Sequence, residues 1–110
     1  MLQIIDNLIF STTGKQILEI TDPIQRFISD SKVSDGLLNI SILHTSCSLM
    51  IQENADGAVL ADIKDFLNKV APEKEYFHNT EGPDDMPAHL KTMLTQTNLT
   101  LSVKRKRIVL

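Results

Sequence analysis

The stretch HTSCSLMIQENADGAVLADIKDFLNKV, residues 44–70, decides the fold class, because the hydrophobic period changes within it. Cys47, Leu49 and Ile51 recur every second residue, the period of a half-buried strand. On that reading Cys47 is a small buried hydrophobe rather than a nucleophile. Further on, Val59, Ile63, Phe66, Leu67 and Val70 fall at i, i+4, i+7, i+8 and i+11, one face of a helix over 57–70. Asp56 or Asn54 stands where a helix cap is needed. Asp62, Lys64, Asp65 and Lys69 lie off the apolar stripe, as a solvated face.

The pattern extends in both directions. Residues 2–10 are rich in Leu and Ile and predict a first strand, and GKQILEI (14–20) predicts a second after a turn at Gly14. TDPIQRFISDSK (21–32) returns to the helical period: Asp22 or Thr21 can cap, Pro23 suits the first turn, and Ile24, Phe27 and Ile28 share a face. SDG (34–36) is a turn, and LLNISIL (37–43) predicts another strand. APEKEYFHNTEGPDDM (71–86) is irregular and long enough to suggest a functional loop. A helix is expected to start near Pro87, with Leu90, Met93 and Leu94 facing inward, and NLTLSV (98–103) alternates as a strand. The cationic run from Lys104 to Arg107 could bind anions, but it reads better as a charged turn between two strands. Long crossover helices are too few for a parallel sheet. The expectation is one α+β domain over 1–110: a compact, mainly antiparallel β-sandwich with two or three short helices.

Composition narrows the function. Eleven basic and 14 acidic residues leave a net charge of -3, the wrong sign for a general nucleic-acid binder. A single cysteine cannot form an internal disulfide, which suits a reducing, cytoplasmic setting. No apolar run approaches the roughly 18 residues of a membrane helix. The N-terminus lacks the basic start of a signal peptide.

The chemistry gathers around three histidines at the ends of predicted elements: His44, His78 and His89. Three converging imidazoles would suit Zn²⁺ or a similar ion with an open position; otherwise they are three separate edge histidines. Glu53 has no capping position and is the better candidate for a general base or for a carboxylate supporting a metal ligand. Asp84 and Asp85 precede a helix that Pro87 helps to start, so one is expected to cap it. The other is free to orient a histidine or coordinate Mg²⁺. Thr45, Ser46, Ser48 and Lys91 can hold an anion such as phosphate, although hydroxyls at strand ends and a solvent-facing lysine are common. Ser48 lacks the strand-turn-helix motif of a hydrolase nucleophile.

HTSCSLMIQENAD, followed by a helix and then by YFHNTEGPDDMPAHLK, resembles the YjbQ-type family, described as secondary thiamine-phosphate synthases. The resemblance covers nearly the whole chain and is strongest between residues 44 and 91. It implies an α+β fold that assembles as a homotrimer and a metal or anion site built from His44, His78 and His89, with Glu53 and Asp85 as the nearest acids. It also implies a transferase that joins a pyrimidine diphosphate to a thiazole phosphate and releases pyrophosphate. On this basis His44, Glu53 and His89 are the catalytic candidates. His44, His78, His89 and Asp85 are the ligands of a divalent Zn or Mg ion. Family members continue with a Gly-Thr-Trp-Gln segment and a final strand, which this chain is expected to lack, and Gln96 stands where relatives have glycine. That departure motivates the alternative of a non-catalytic metal- or phosphate-binding protein. The expected partners are a small phosphorylated substrate and two further copies of the chain, with no nucleic acid and no membrane.

Overall fold

The computed structural model describes residues 1–110 and contains three helices and one three-stranded sheet. In chain order these are α1 (Thr21–Asp30), β1 (Gly36–Ser41), α2 (Gly57–Val70), α3 (Asp85–Leu94), β2 (Asn98–Lys104) and β3 (Arg107–Ile108). The fold is α+β, and the sheet order is β1-β2-β3. Asn39 bonds Thr100, Ser41 bonds Asn98, and the Ile42 N–H reaches the Thr97 carbonyl. One residue number rises as the other falls, so β1 and β2 run antiparallel. β2 and β3 are antiparallel as well, with Val103 opposite Ile108 and Lys104 opposite Arg107.

The chain divides into two compact units, residues 1–39 with 100–110, and residues 40–99. In the first, Ile24 and Ile28 sit one turn apart on α1 and are buried, as are Leu38 of β1 and Val103 of β2. Burying each of these side chains contributes about 1.5–3 kcal/mol. Neither Thr21 nor Asp22 caps α1; Ile20 holds that position and makes no side-chain capping bond. Asp22 lies within the first turn instead, where a negative charge opposes the positive end of the helix dipole.

In the second unit, Leu49, Ala71 and Pro87 are buried. Asp56 caps α2 as expected, its carboxylate accepting the Ala58 N–H at 2.9 Å. The apolar stripe of α2 behaves differently from its pattern. No α2 residue is fully buried, and Phe66 and Val70 are exposed. Leu90 of α3 is half-buried, while Met93 and Leu94 are exposed.

Two sequence expectations are corrected. Residues 2–10 and 14–20 form no strand; Leu2, Ile5 and Ile9 are exposed. Leu and Ile content makes a strand only when a neighbouring strand supplies hydrogen bonds and a packed face, and neither segment joins the sheet. CSLMIQ contracts to a single bridge in which Leu49 and Gln96 exchange both backbone bonds, at 2.6 and 3.1 Å. Only Leu49 of the alternating set is buried; Cys47 and Ile51 are exposed.

The cationic run joins β2 to β3, with the turn confined to Arg105 and Lys106 while Lys104 ends β2 and Arg107 opens β3. Arg105 and Lys106 adopt φ of 51° and 62°, the left-handed region where Asn and Gly are usual. Holding two long side chains there costs on the order of 1 kcal/mol each. Replacing them together (Arg105→Asn with Lys106→Gly) is expected to raise the unfolding free energy by about 1 kcal/mol, read from the urea midpoint at constant m-value.

Candidate metal centre

The site lies within residues 40–99 and begins with helix periodicity. Asp85 opens α3 and His89 stands four residues later, so both side chains project from one face. Asp84 takes the N-cap position but makes no side-chain capping bond there, and the Asp85 carboxylate turns to the histidines. Pro87 is fully buried in the first turn of α3, where its missing N–H costs no helical bond. His78 arrives from the loop before the helix. Between them Gly82 adopts φ of 101°, a conformation that side-chain-bearing residues rarely hold, and this lets the loop reverse.

The result is a cluster of four groups. One oxygen of Asp85 faces the Nε2 atoms of both His78 and His89, at 2.7 and 3.2 Å. Glu81 Oε2 stands 3.6 Å from His78 Nε2. The two rings meet edge to face, with centroids 5.6 Å apart. One donor atom from each of His78, Glu81, Asp85 and His89 lies within 4.8 Å of all the others.

The other nitrogen of His89 is 2.9 Å from the Thr45 backbone carbonyl. A carbonyl only accepts, so Nδ1 must carry the proton there. In a neutral ring Nε2 then holds a lone pair, and that lone pair faces a carboxylate oxygen. Two acceptors at 3.2 Å repel unless a second proton or a cation lies between them. An imidazole anchored by a backbone carbonyl on one side, with its lone pair presented on the other, is the usual support for a metal ligand.

The spacing suits an ion as well. Donor atoms at roughly 2.1 Å from a tetrahedral ion stand about 3.4 Å apart. The His89–Asp85 and His78–Glu81 separations of 3.2 and 3.6 Å bracket that value, the His78–Asp85 hydrogen bond at 2.7 Å is shorter, and the remaining donor pairs lie within 4.8 Å. Two imidazoles with two carboxylates favour Zn²⁺ or a similar transition ion over Mg²⁺, which prefers an all-oxygen shell.

The sequence-derived candidates divide around this cluster. His78, His89 and Asp85 come together, and Glu81 joins them. A glutamate three residues after His78 and before a turn glycine was the available signal for it. His44 stands outside the cluster. Its Nδ1 accepts the Ser46 N–H at 2.9 Å and lies 2.8 Å from the Ser46 hydroxyl, so the proton of the neutral ring belongs on Nε2. His44 does line an open groove of about 830 Å³ with Thr45, His89, Thr92 and Met93. His78 lines a second groove with Lys74, Tyr76 and Met86. Ser48 shares a short hydrogen bond with Thr95, and the Lys91 ammonium donates to Asn68 Oδ1 at 2.9 Å. Glu53 is exposed in the segment before α2, outside the cluster.

The comparisons with known proteins agree with this architecture. The sequence profile described as UPF0047 protein YjbQ-like matches residues 6–110. A UPF0047 protein of Synechocystis is 41% identical over 103 residues, covering 92% of this chain and 70% of the relative. YjbQ of Escherichia coli O157:H7 is 40% identical over 91 residues, covering 81% and 66%. The chain therefore spans about two thirds of the length of these relatives. A crystal structure of a YjbQ/UPF0047 protein from Clostridium acetobutylicum superposes with a TM-score of 0.80 at 29% identity, covering 91% of this chain and 76% of that one. A conserved hypothetical protein of Thermus thermophilus gives a TM-score of 0.73 at 32% identity, covering 84% and 71%. No helix is long and apolar enough to cross a membrane.

Donating its Nε2–H to the Asp85 carboxylate raises the His78 pKa above its ordinary value, with the Asp85 and Glu81 charges adding to it. The same bond lowers the pKa of Asp85. A raised imidazole pKa stabilises the fold fully below the unfolded value of about 6.5, and this is lost as pH rises through the folded pKa. A lowered carboxyl pKa stabilises above about 3.9 and is lost as pH falls through the folded pKa. In metal-free protein the pair is therefore expected to contribute most between about pH 4 and 6.5. Asp85→Asn should bring the His78 titration, followed by NMR of its ring protons, back down toward about 6.5 and flatten the loss of stability above that pH.

Proposed function

The chain belongs to the YjbQ-like UPF0047 family, and from that premise we propose that it is a metal-assisted transferase acting on phosphorylated substrates. The specific reaction is the one its sequence resemblance implies: joining a pyrimidine diphosphate to a thiazole phosphate with release of pyrophosphate. The observation that carries this reading is the confrontation of His89 Nε2 with the Asp85 carboxylate while the Thr45 carbonyl holds Nδ1. That arrangement calls for positive charge among His78, Glu81, Asp85 and His89.

His78, His89 and Asp85, with Glu81, would hold a Zn²⁺-like ion. When bound, such an ion supplies positive charge against the charge that develops on a departing diphosphate. The chain's own groups do the rest. Thr45 fixes the His89 ring through its carbonyl. Thr92 and Thr97 line the groove beside His89, the Thr92 hydroxyl donating back to the Ala88 carbonyl, and Ile42, Leu43 and Met93 offer an apolar wall for a heterocycle. With its Nδ1 accepting from Ser46, His44 presents an Nε2–H suited to donating a hydrogen bond.

Purified protein supplied with both precursors and Zn²⁺ is expected to release pyrophosphate and form the joined product, with His89→Ala and Asp85→Asn reduced at least ~100-fold. No product above the His89→Ala background would overturn the transferase reading. Zinc titration separates the metal assignment: about one ion per chain in the parent, and affinity weaker by roughly 10-fold or more in the His78→Ala and His89→Ala variants.

A second reading, non-catalytic metal or phosphate binding, draws support from the openness of the cluster. The His78 side chain is 40% exposed and that of Glu81 65%, whereas charge stabilisation works best where water is excluded. Zinc-dependent thermal stabilisation without turnover would favour it.

The homotrimer implied by the family resemblance is part of the same proposal, as is a cytoplasmic setting. Leu43 and Phe77, the immediate neighbours of His44 and His78, are exposed, and Met93 lies one turn beyond His89. Neighbouring subunits would cover such side chains and dry the site. Light scattering should return three times the 12.3 kDa chain mass, and a monomer at micromolar concentration would remove this part of the proposal.

A further inference from the structure

We infer that the β2–β3 turn is a separate anion site, suited to a compact ligand bearing two or more phosphates. Lys104 and Arg107 are direct cross-strand partners. Side chains opposite each other share a sheet face with Cβ atoms about 5 Å apart, and like charges in that position repel. An anion between them turns the repulsion into a clamp. The turn itself carries two more cations, Arg105 and Lys106, at left-handed positions where short polar residues or glycine are the relaxed choice.

The strained tip is braced from the rest of its unit. Asp35 Oδ1 accepts the Arg105 N–H at 2.8 Å, and the Ser34 carbonyl accepts the Lys106 N–H at 2.8 Å. Gln25 spans the turn. Its Nε2 donates to the Lys106 carbonyl at 2.7 Å, and its Oε1 accepts the Ile108 N–H at 3.0 Å. The Lys106 ammonium is itself occupied by the Ser31 carbonyl. The cations left to face a ligand are therefore Lys104, Arg105 and Arg107. None of the ion pairs in the structure involves them. Braced backbone beneath unpaired cations means that little ordering remains to be done on binding.

The chemistry selects the ligand class. Two guanidinium forks and an ammonium match the several oxygens of a di- or triphosphate. An extended polyanion would need a longer basic footprint than one turn, and the chain as a whole carries a net charge of -3. The turn also has no aromatic side chain on which a base could stack. With screening over about 8 Å at physiological salt, a compact ligand feels mainly the local cations.

The test is an amide NMR titration of the full, zinc-free chain with inorganic tripolyphosphate. Saturable shifts are expected at residues 104–107 and at Asp35, weakening as salt is added. The Lys104→Gln/Arg107→Gln variant should bind roughly tenfold more weakly while keeping its dispersed spectrum. Absence of saturable shifts at the turn would overturn the site, as would equal shifts in the variant or equal shifts with sulfate at matched ionic strength. Tighter binding of a single-stranded oligonucleotide at the same amides would replace the compact ligand with a polyanion. Zinc is absent from the titration, so its outcome is independent of the metal reading.

Discussion

One carboxylate oxygen of Asp85 faces two imidazoles, and the candidate site depends on that sharing. The oxygen stands 2.7 Å from His78 and 3.2 Å from His89. Helix α3 supplies Asp85 and His89 together, because four residues make about one turn. Only the loop from His78 to Asp84 then has to be placed, and Gly82 with the buried Pro87 restricts how it can run. The Thr45 carbonyl completes the arrangement by settling which nitrogen of His89 carries its proton. No part of this needs a buried charge. The groups remain partly exposed, so the cluster tolerates ionised side chains without the desolvation cost of a core.

The sheet follows a similar economy. β2 is the central strand, and its backbone finds partners on both edges. Its neighbour β3 is only two residues long, yet the turn leading into it is braced by Gln25, Ser34 and Asp35. Those side chains and carbonyls do for the hairpin what Asn-Gly does elsewhere. They fix a left-handed backbone that Arg105 and Lys106 would not choose alone.

Much of this was legible in the residues. The period of α2 gave its limits, 57–70, and Asp56 was recognisable as its cap. The turn at 105–106 followed from four cations between two alternating runs. A helix was expected to start near Pro87, and it opens two residues earlier, so that Asp85 joins His89 on one helical face. Other features were not legible for specific reasons. Leu and Ile in residues 2–10 carry the composition of a strand, but a strand exists only where another backbone pairs with it. The stripe on α2 and α3 identifies the side that would be buried, yet Phe66, Val70 and Met93 are exposed because periodicity says nothing of what covers it. Cys47 and Ile51 follow the same rule: alternation marks a face, and burial requires a second surface.

By itself the sequence determined the helices, the strands β1 and β2, the hairpin turn, the α+β class and the family, because these rest on local periodicity, turn chemistry and ordered motifs. Tertiary structure alone decided which polar groups meet. It left His44 outside the cluster of His78, Asp85 and His89, brought in Glu81, and enlisted the Thr45 carbonyl, a backbone group that no residue identity announces. The physical reason is that a hydrogen bond or ligand set is defined over a few ångströms, whereas His89 stands 44 positions after Thr45 in the chain.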